Sequence, residues 1–114
     1  MEDCIFCKIF QHEANPNIIY EDHQSFAFWD QHPAAPVHLL IVPNKHIESI
    51  NDLDQENEGL VGHLFWVARL LARQYNIAES GFRLVINTGK DAHQSVFHLH
   101  VHLIGGKDMQ SVLK

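Results

Sequence analysis

The sequence predicts an α+β fold: an antiparallel, meander-like sheet with one long helix and a short N-terminal helix packed on one face. Three observations carry this reading. Short β-rich apolar runs recur along the chain, a single long stretch has helical periodicity, and the connections are short enough to favour antiparallel pairing. With 114 residues, 46% of them hydrophobic, residues 1–114 are expected to form one domain with one modest core.

Taken in order, "CIFCKIFQ" (4–11) places Ile5, Ile9 and Phe6 at helical spacing, and a short helix is expected there. "HEANPN" (12–17) is a loop. "IIYED" (18–22) and "SFAFWD" (25–30) are β-rich runs separated by two residues, which predicts a hairpin. "QHPAAP" (31–36) is a proline-spaced loop, and "VHLLIVP" (37–43) is a nearly continuous apolar run that fits a central strand. A polar connection follows (44–56), with Ile47 and Ile50 as its buried patch. Leu60, Leu64, Val67, Ala68, Leu71 and Ala72 then form one helical stripe, with Asp52 or Asp54 to cap its start and Asn76 to end it. Gly59 and Gly62 each cost roughly 1 kcal/mol in a helix interior, which points to close packing at those positions. "FRLVINT" (82–88) reads as a strand, "GKDAHQS" (89–95) as a loop, and "VFHLHVHLI" (96–104) as the last strand.

A formal net charge of -6 argues against nucleic acid and anionic membranes as partners, since both require clustered Lys and Arg. The N-terminus lacks the basic region of a signal peptide, and no run reaches the length of a membrane span, so the cytoplasm is the expected compartment. In that compartment the two cysteines, Cys4 and Cys7, read as metal or redox chemistry before a structural disulfide.

Histidine is the unusual residue, with 10 in the chain. His98, His100 and His102 alternate with Leu99, Val101 and Leu103. On a strand this puts three imidazoles on one face and the apolar residues on the other, against the long helix. Three imidazoles are too polar for ordinary core and unusual for ordinary surface. Two chemical readings remain, a metal cluster and a catalytic row. A neutral imidazole is a nucleophile at pH 7, and a neighbouring imidazole can donate a hydrogen bond to a charged oxygen or a leaving group. The loop "NTGKDAHQS" can offer backbone N–H groups and the Ser95 hydroxyl to an anion. No P-loop pattern is present.

"QSVFHLHVHLIGG" resembles the signature of the histidine triad (HIT) superfamily, and the likeness extends over nearly the whole chain. "FAFWDQHPAAPVHLLIVPNKHI" (26–47) resembles the earlier block of that superfamily. "GFRLVINTG", "QSV" and the closing "GG" resemble its Hint-like branch of purine nucleoside phosphoramidases. The resemblance implies a homodimer whose sheets join into one. It also implies hydrolysis of purine nucleoside 5'-phosphoramidates to the nucleoside monophosphate and an amine. His100 matches the nucleophile that would carry a nucleotidyl-histidine intermediate. His102 and His38 match residues that hold the phosphate and orient the nucleophile, and Ser95 matches the hydroxyl at the phosphate or leaving nitrogen. Asn87 matches a residue of the phosphate pocket, and Asp30 would bind the ribose hydroxyls. Ile5, Phe6, Ile9, Phe28 and Leu40 would form the slot for the base, with His93, Gln94 and Val96 completing the nucleotide-binding set.

Two departures stand out. His93 replaces a usual glycine, and Gln31 replaces a branched apolar residue beside the base. Structural zinc is almost always four-coordinate, so Cys4 and Cys7 need two further ligands, and the resemblance supplies His46 and His98. The expected cofactor is therefore a structural zinc, with no organic cofactor. Three alternatives stay open at this stage. They are a dinucleoside polyphosphate hydrolase of the same superfamily, with Gln94 near the leaving group, a nucleotide-binding regulatory protein, and a metalloenzyme whose metal is held by His98, His100 and His102.

Overall fold

The computed structural model describes residues 3–14 and 16–111. Met1, Glu2, Asn15 and residues 112–114 lie outside them, Asn15 falling within the loop read over 12–17. The order of elements is α1 (Ile5–Phe10), β1 (Ile18–Glu21), β2 (Ser25–Trp29), β3 (Val37–Pro43), α2 (Glu58–Gln74), β4 (Phe82–Val85) and β5 (Val101–Gly105). The α+β class and the antiparallel sheet agree with the sequence. The five strands lie in the order β1-β2-β3-β5-β4, so the meander runs through β3 and is then broken, with β5 inserted between β3 and β4.

The sheet is apolar on both faces, and each face has its own helix. Ala27, Leu39, Ile41, Val101 and Leu103 share a core with Leu64, Val67, Ala68, Leu71 and Ala72 of α2. The alternate residues Phe26, Phe28, Leu40 and Val42 pack with Phe6 and Ile9 of α1. This corrects the expectation that both helices lie on one face. The even-numbered residues of β2 and β3 are as apolar as the odd-numbered ones, and a bare second face would leave them in water.

Further differences have local causes. β5 begins at Val101, not at residue 96. Its neighbour β3 ends at Pro43, which has no N–H for the ladder, and Leu99 N–H instead donates to the carbonyl of Ile47 at 2.7 Å. The alternation survives this loss of pairing, since Leu99 joins the α2 core while His98 and His100 are buried on the opposite side. Ile50 is exposed, and only Ile47 of the expected patch is buried. Asp54 caps a short 3-10 turn (Gln55–Asn57) that leads directly into α2, and Asn76 follows α2 in the left-handed region at φ 62°. Gly59 and Gly62 meet no neighbour within 4 Å at the Cβ position, so they are not close-packing sites within the chain.

Asp22 ties the β1–β2 turn to α2. Its carboxylate accepts from Tyr20 O–H at 2.5 Å and from the backbone N–H groups of Gln24 and Ser25 at 2.7 and 2.8 Å. His63 of α2 places Nε2 2.7 Å away. Burial alone would raise this carboxyl, but the donors from Tyr20, Gln24, His63 and Ser25 outweigh it and hold the group well below the usual range. A depressed carboxyl adds stability above the unfolded value of about 3.9, and that stability is lost as pH falls below it. Asp22→Asn is therefore expected to cost about 1–3 kcal/mol at pH 7. The gap to wild type should narrow steadily below about pH 4, as read by thermal unfolding of both proteins across that range. A gap independent of pH would assign the effect to packing alone.

Candidate functional site

The register of the central strands builds the site. His102 of β5 lies opposite Leu40 of β3, which puts His38 on the same face, two residues along. Their rings meet, with His38 Nε2 2.9 Å from His102 Nδ1. The backbone fixes who donates. Ala34 N–H points at His38 Nδ1 at 2.9 Å, so Nδ1 must accept and the ring proton sits on Nε2. That proton is donated to His102 Nδ1, so the one N–H of neutral His102 is on Nε2, free to donate elsewhere. His100 is fixed by the same logic. Its Nδ1–H donates to the carbonyl of His98 at 2.7 Å, so its Nε2 carries the free lone pair.

All three triad imidazoles are held in the neutral form. Burial depresses His100, and burial with the neighbouring His100 and His38 pushes His102 down to about 4. Burial, with His46 and His100 nearby, lowers His98 to about 4 as well. Asp30, at the end of β2, stands beside the His38–His102 pair, with Oδ2 3.5 Å from His38 Nε2 and 4.0 Å from His102 Nδ1.

A cavity of about 210 Å³ opens over His100 and His102. Its walls include the apolar Ile5, Phe6, Ile9, Phe28, Leu40 and Val96 and the polar Asp30 and Ser95. These residues come from four separate segments, and the structure brings them together around the two imidazoles. Ile5 is 44% exposed on α1, so it lines this mouth and does not join the core. His38 stands behind His102 and outside the wall.

Asn87, His93 and Gln94 do not line the cavity. Asn87 Nδ2 donates to the carbonyl of Ala92 at 2.9 Å, closing the loop on itself. Gln94 is buried and is the brace of the region. Its Oε1 accepts from Gly89 N–H at 2.9 Å, and its Nε2 donates to the carbonyls of Glu48 and Val96 at 2.7 and 3.1 Å. His93 is exposed and sits at φ 59°, in the left-handed region where glycine is at ease. The usual glycine of the resembling proteins has its reason here in the backbone. His93→Gly is expected to raise stability by about 0.5–1 kcal/mol and to leave turnover unchanged, as measured by denaturant unfolding and steady-state kinetics.

Pro16, Gln31 and His32 also line the cavity. Pro16 and His32 escaped the sequence reading. His32 had one usable signal, its position two residues after Asp30, and its backbone N–H does donate to Asp30 Oδ1 at 2.8 Å.

A second cluster lies beside the first. Cys4, Cys7, His46 and His98 bring their ligand atoms within 4.8 Å of one another. His98 Nε2–H donates to the carbonyl of Pro43 at 2.9 Å, which turns its bare Nδ1 toward the two sulfurs. That nitrogen is 3.3 Å from Cys4 Sγ and 3.6 Å from Cys7 Sγ, and His46 Nδ1 is 3.2 Å from Cys7 Sγ. Tetrahedral zinc with ordinary bond lengths needs sulfur–nitrogen edges of about 3.6 Å, so the donor set fits that ion. Burial and the adjacent Cys4 thiol push Cys7 up to about 11, so a cation is required to hold it as thiolate at neutral pH. Cys4 also caps α1, accepting from Cys7 N–H at 3.4 Å. Phe6 bridges the two clusters, edge-on to His98 and His100 with ring centres 5.9 and 5.0 Å away.

The metalloenzyme reading of the triad finds no support in this arrangement. Among the described residues, His98, His100 and His102 do not share a ligand set. His98 faces the sulfurs, and His100 is tied by Nδ1 to a carbonyl.

The HIT domain family profile matches residues 11–109. The purine nucleoside phosphoramidase of Escherichia coli (strain K12) is 42% identical over 112 residues, covering 98% of this chain and 94% of that protein. Among solved structures, a HIT family hydrolase from Clostridium thermocellum superposes with a TM-score of 0.96 at 42% identity, over 100% of this chain and 99% of that one. A HIT family hydrolase from Legionella pneumophila Philadelphia 1 gives a TM-score of 0.93 at 42% identity, over 95% and 96%.

Proposed function

The chain belongs to the HIT domain family, and from that premise we propose that it is a hydrolase of purine nucleoside 5'-phosphoramidates working through His100. The observation that carries this reading is the tautomer of His100. Its Nδ1 proton is committed to the His98 carbonyl, so a neutral lone pair on Nε2 faces the cavity.

The base enters the apolar slot of Ile5, Phe6, Ile9, Phe28 and Leu40, and Asp30 accepts from the ribose hydroxyls. His100 Nε2 attacks the α-phosphorus. The Nε2–P bond forms as the P–N bond breaks, and the leaving nitrogen gains one proton from solvent through the Ser95 hydroxyl. His102 Nε2–H donates to a phosphoryl oxygen throughout, held in that tautomer by His38 and Ala34. Water then cleaves the nucleotidyl-histidine, releasing the monophosphate and returning one proton. Gln94, His93 and Asn87 shape the loop that carries Ser95, and Val96 closes the wall beside it.

Zinc at Cys4, Cys7, His46 and His98 would be structural. Four protein ligands leave no open position, and the ion would anchor α1, and with it Phe6, against the nucleophile. We place the protein in the cytoplasm, where thiolate ligands persist. Among the described residues no helix is long and apolar enough to cross a membrane.

The active form is a homodimer in this reading. β4 is an edge strand carrying exposed Phe82, and α2 exposes Phe65, Trp66 and Leu70. Gly62 lies one turn before Trp66 on the same exposed surface, where a second backbone could approach closely. Trp66→Glu is expected to convert a dimer to a monomer by light scattering, and an unchanged mass would place the contact elsewhere.

The function is tested by nucleotide release from adenosine 5'-phosphoramidate, with and without chelator. Release that resists the chelator is expected. No release, with diadenosine polyphosphates also untouched, would favour a nucleotide-binding protein. Cleavage of the polyphosphates alone would favour the other hydrolase branch.

A further inference from the structure

A second cavity, of about 330 Å³, adjoins the nucleotide pocket. Ile5, Ser95 and Val96 line both. The shared wall carries Ser95, the hydroxyl assigned above to the leaving nitrogen. In a displacement at phosphorus the attacking and leaving atoms lie roughly in line, so a group expelled by His100 departs from the opposite apex. The Ser95 side opens onto further room.

The second cavity has a distinct chemistry. Phe97 is 55% exposed and, with Ile5 and Val96, offers an apolar surface for a chain of methylenes or a flat ring. Asp3 and Glu48 also line it, and among the described residues neither carboxylate forms an ion pair with a Lys, Arg or His. Glu48 is held in place from behind, because its backbone carbonyl accepts from buried Gln94, which also binds the carbonyl of Val96. One side chain thus fixes the Glu48 segment against the Ser95–Phe97 segment. Cys4 and His46 form another wall. A divalent cation held there by two thiolates would leave that wall neutral, so among the described lining residues Asp3 and Glu48 would be the charged groups.

We propose that this cavity is the leaving-group subsite, and that Glu48, assisted by Asp3, selects amines carrying a second, positively charged nitrogen a few methylenes from the scissile one. The inference rests on the phosphoramidase reading above. It names the class of amine which that site releases fastest, a diamine or similarly cationic alkylamine. A carboxylate and an ammonium in contact at a wet surface make a modest difference in rate, and salt weakens it.

The test compares two adenosine 5'-phosphoramidates of equal length, one of pentylamine and one of 1,5-diaminopentane, on the full-length protein. Wild type is expected to favour the diamine compound in kcat/KM by about fivefold at low salt. The preference should shrink in Glu48→Gln, approach unity in the Asp3→Asn/Glu48→Gln double variant, and fade in wild type at high salt. Glu48→Gln keeps the backbone carbonyl that Gln94 binds, so the fold is not at issue. Cleavage of both compounds by wild type without preference, or a preference untouched in the double variant, would overturn the subsite and leave the phosphoramidase reading standing. Cleavage of neither would overturn both.

Discussion

His100→Ala is expected to lower kcat for release of AMP from adenosine 5'-phosphoramidate by at least about 10⁴-fold, with nucleotide affinity little changed. The large effect on kcat follows from the role assigned to Nε2, which forms a bond to phosphorus and has no substitute within reach. Affinity should survive because the slot and Asp30 are built from other segments. His102→Ala should cost less, about 10²–10³-fold, since it removes one donor to the developing charge and not the attacking atom. Parallel kinetics on the two variants, with AMP binding measured by calorimetry, check the order. Equal losses in both, or a loss confined to KM in His100→Ala, would contradict the division of labour between the two rings.

The second large effect concerns stability. Cys7→Ser is expected to remove bound zinc and to destabilise the protein by at least about 2 kcal/mol, a fall in Tm of roughly 10 °C for a chain of this size. Cys7 touches both histidines of the cluster, so its loss leaves His46 without its sulfur partner and His98 with Cys4 alone. Zinc content by elemental analysis of protein purified without added metal should be about one ion per chain in wild type. Turnover in the chelated protein should persist at temperatures where it stays folded. A chelated, folded protein that has lost all turnover would mean that the ion acts on the substrate.

Much of this arrangement can be read from residue order, and the exceptions share a cause. The hairpin of β1 and β2, the central run of β3 and the stripe of α2 are local patterns of period two or near four, and each formed where its period pointed. The two faces of the histidine run also follow from period two, even though only Val101–Gly105 is paired as a strand. What residue order did not carry depends on a partner far along the chain. Nothing near residues 96–100 says that Pro43 ends the neighbouring strand. Nothing near α1 says that Phe26, Phe28, Leu40 and Val42 form a second apolar face waiting for it. The proton positions are least legible of all, because the tautomer of His102 is set through His38 by a backbone N–H at Ala34, 68 residues upstream of the ring it serves. His93 shows the reverse case, where an unusual residue read as chemistry stands at a left-handed turn outside the cavity.

The central claim is that His100 Nε2 takes up the nucleotide. Its most direct test is the intact mass of the protein quenched in acid-free denaturant during turnover of adenosine 5'-phosphoramidate, followed by peptide mapping. The account predicts a transient increase of one nucleotidyl group, located on His100 and absent from His100→Ala. Turnover with no adduct under fast quenching, or an adduct carried by another residue, would contradict it.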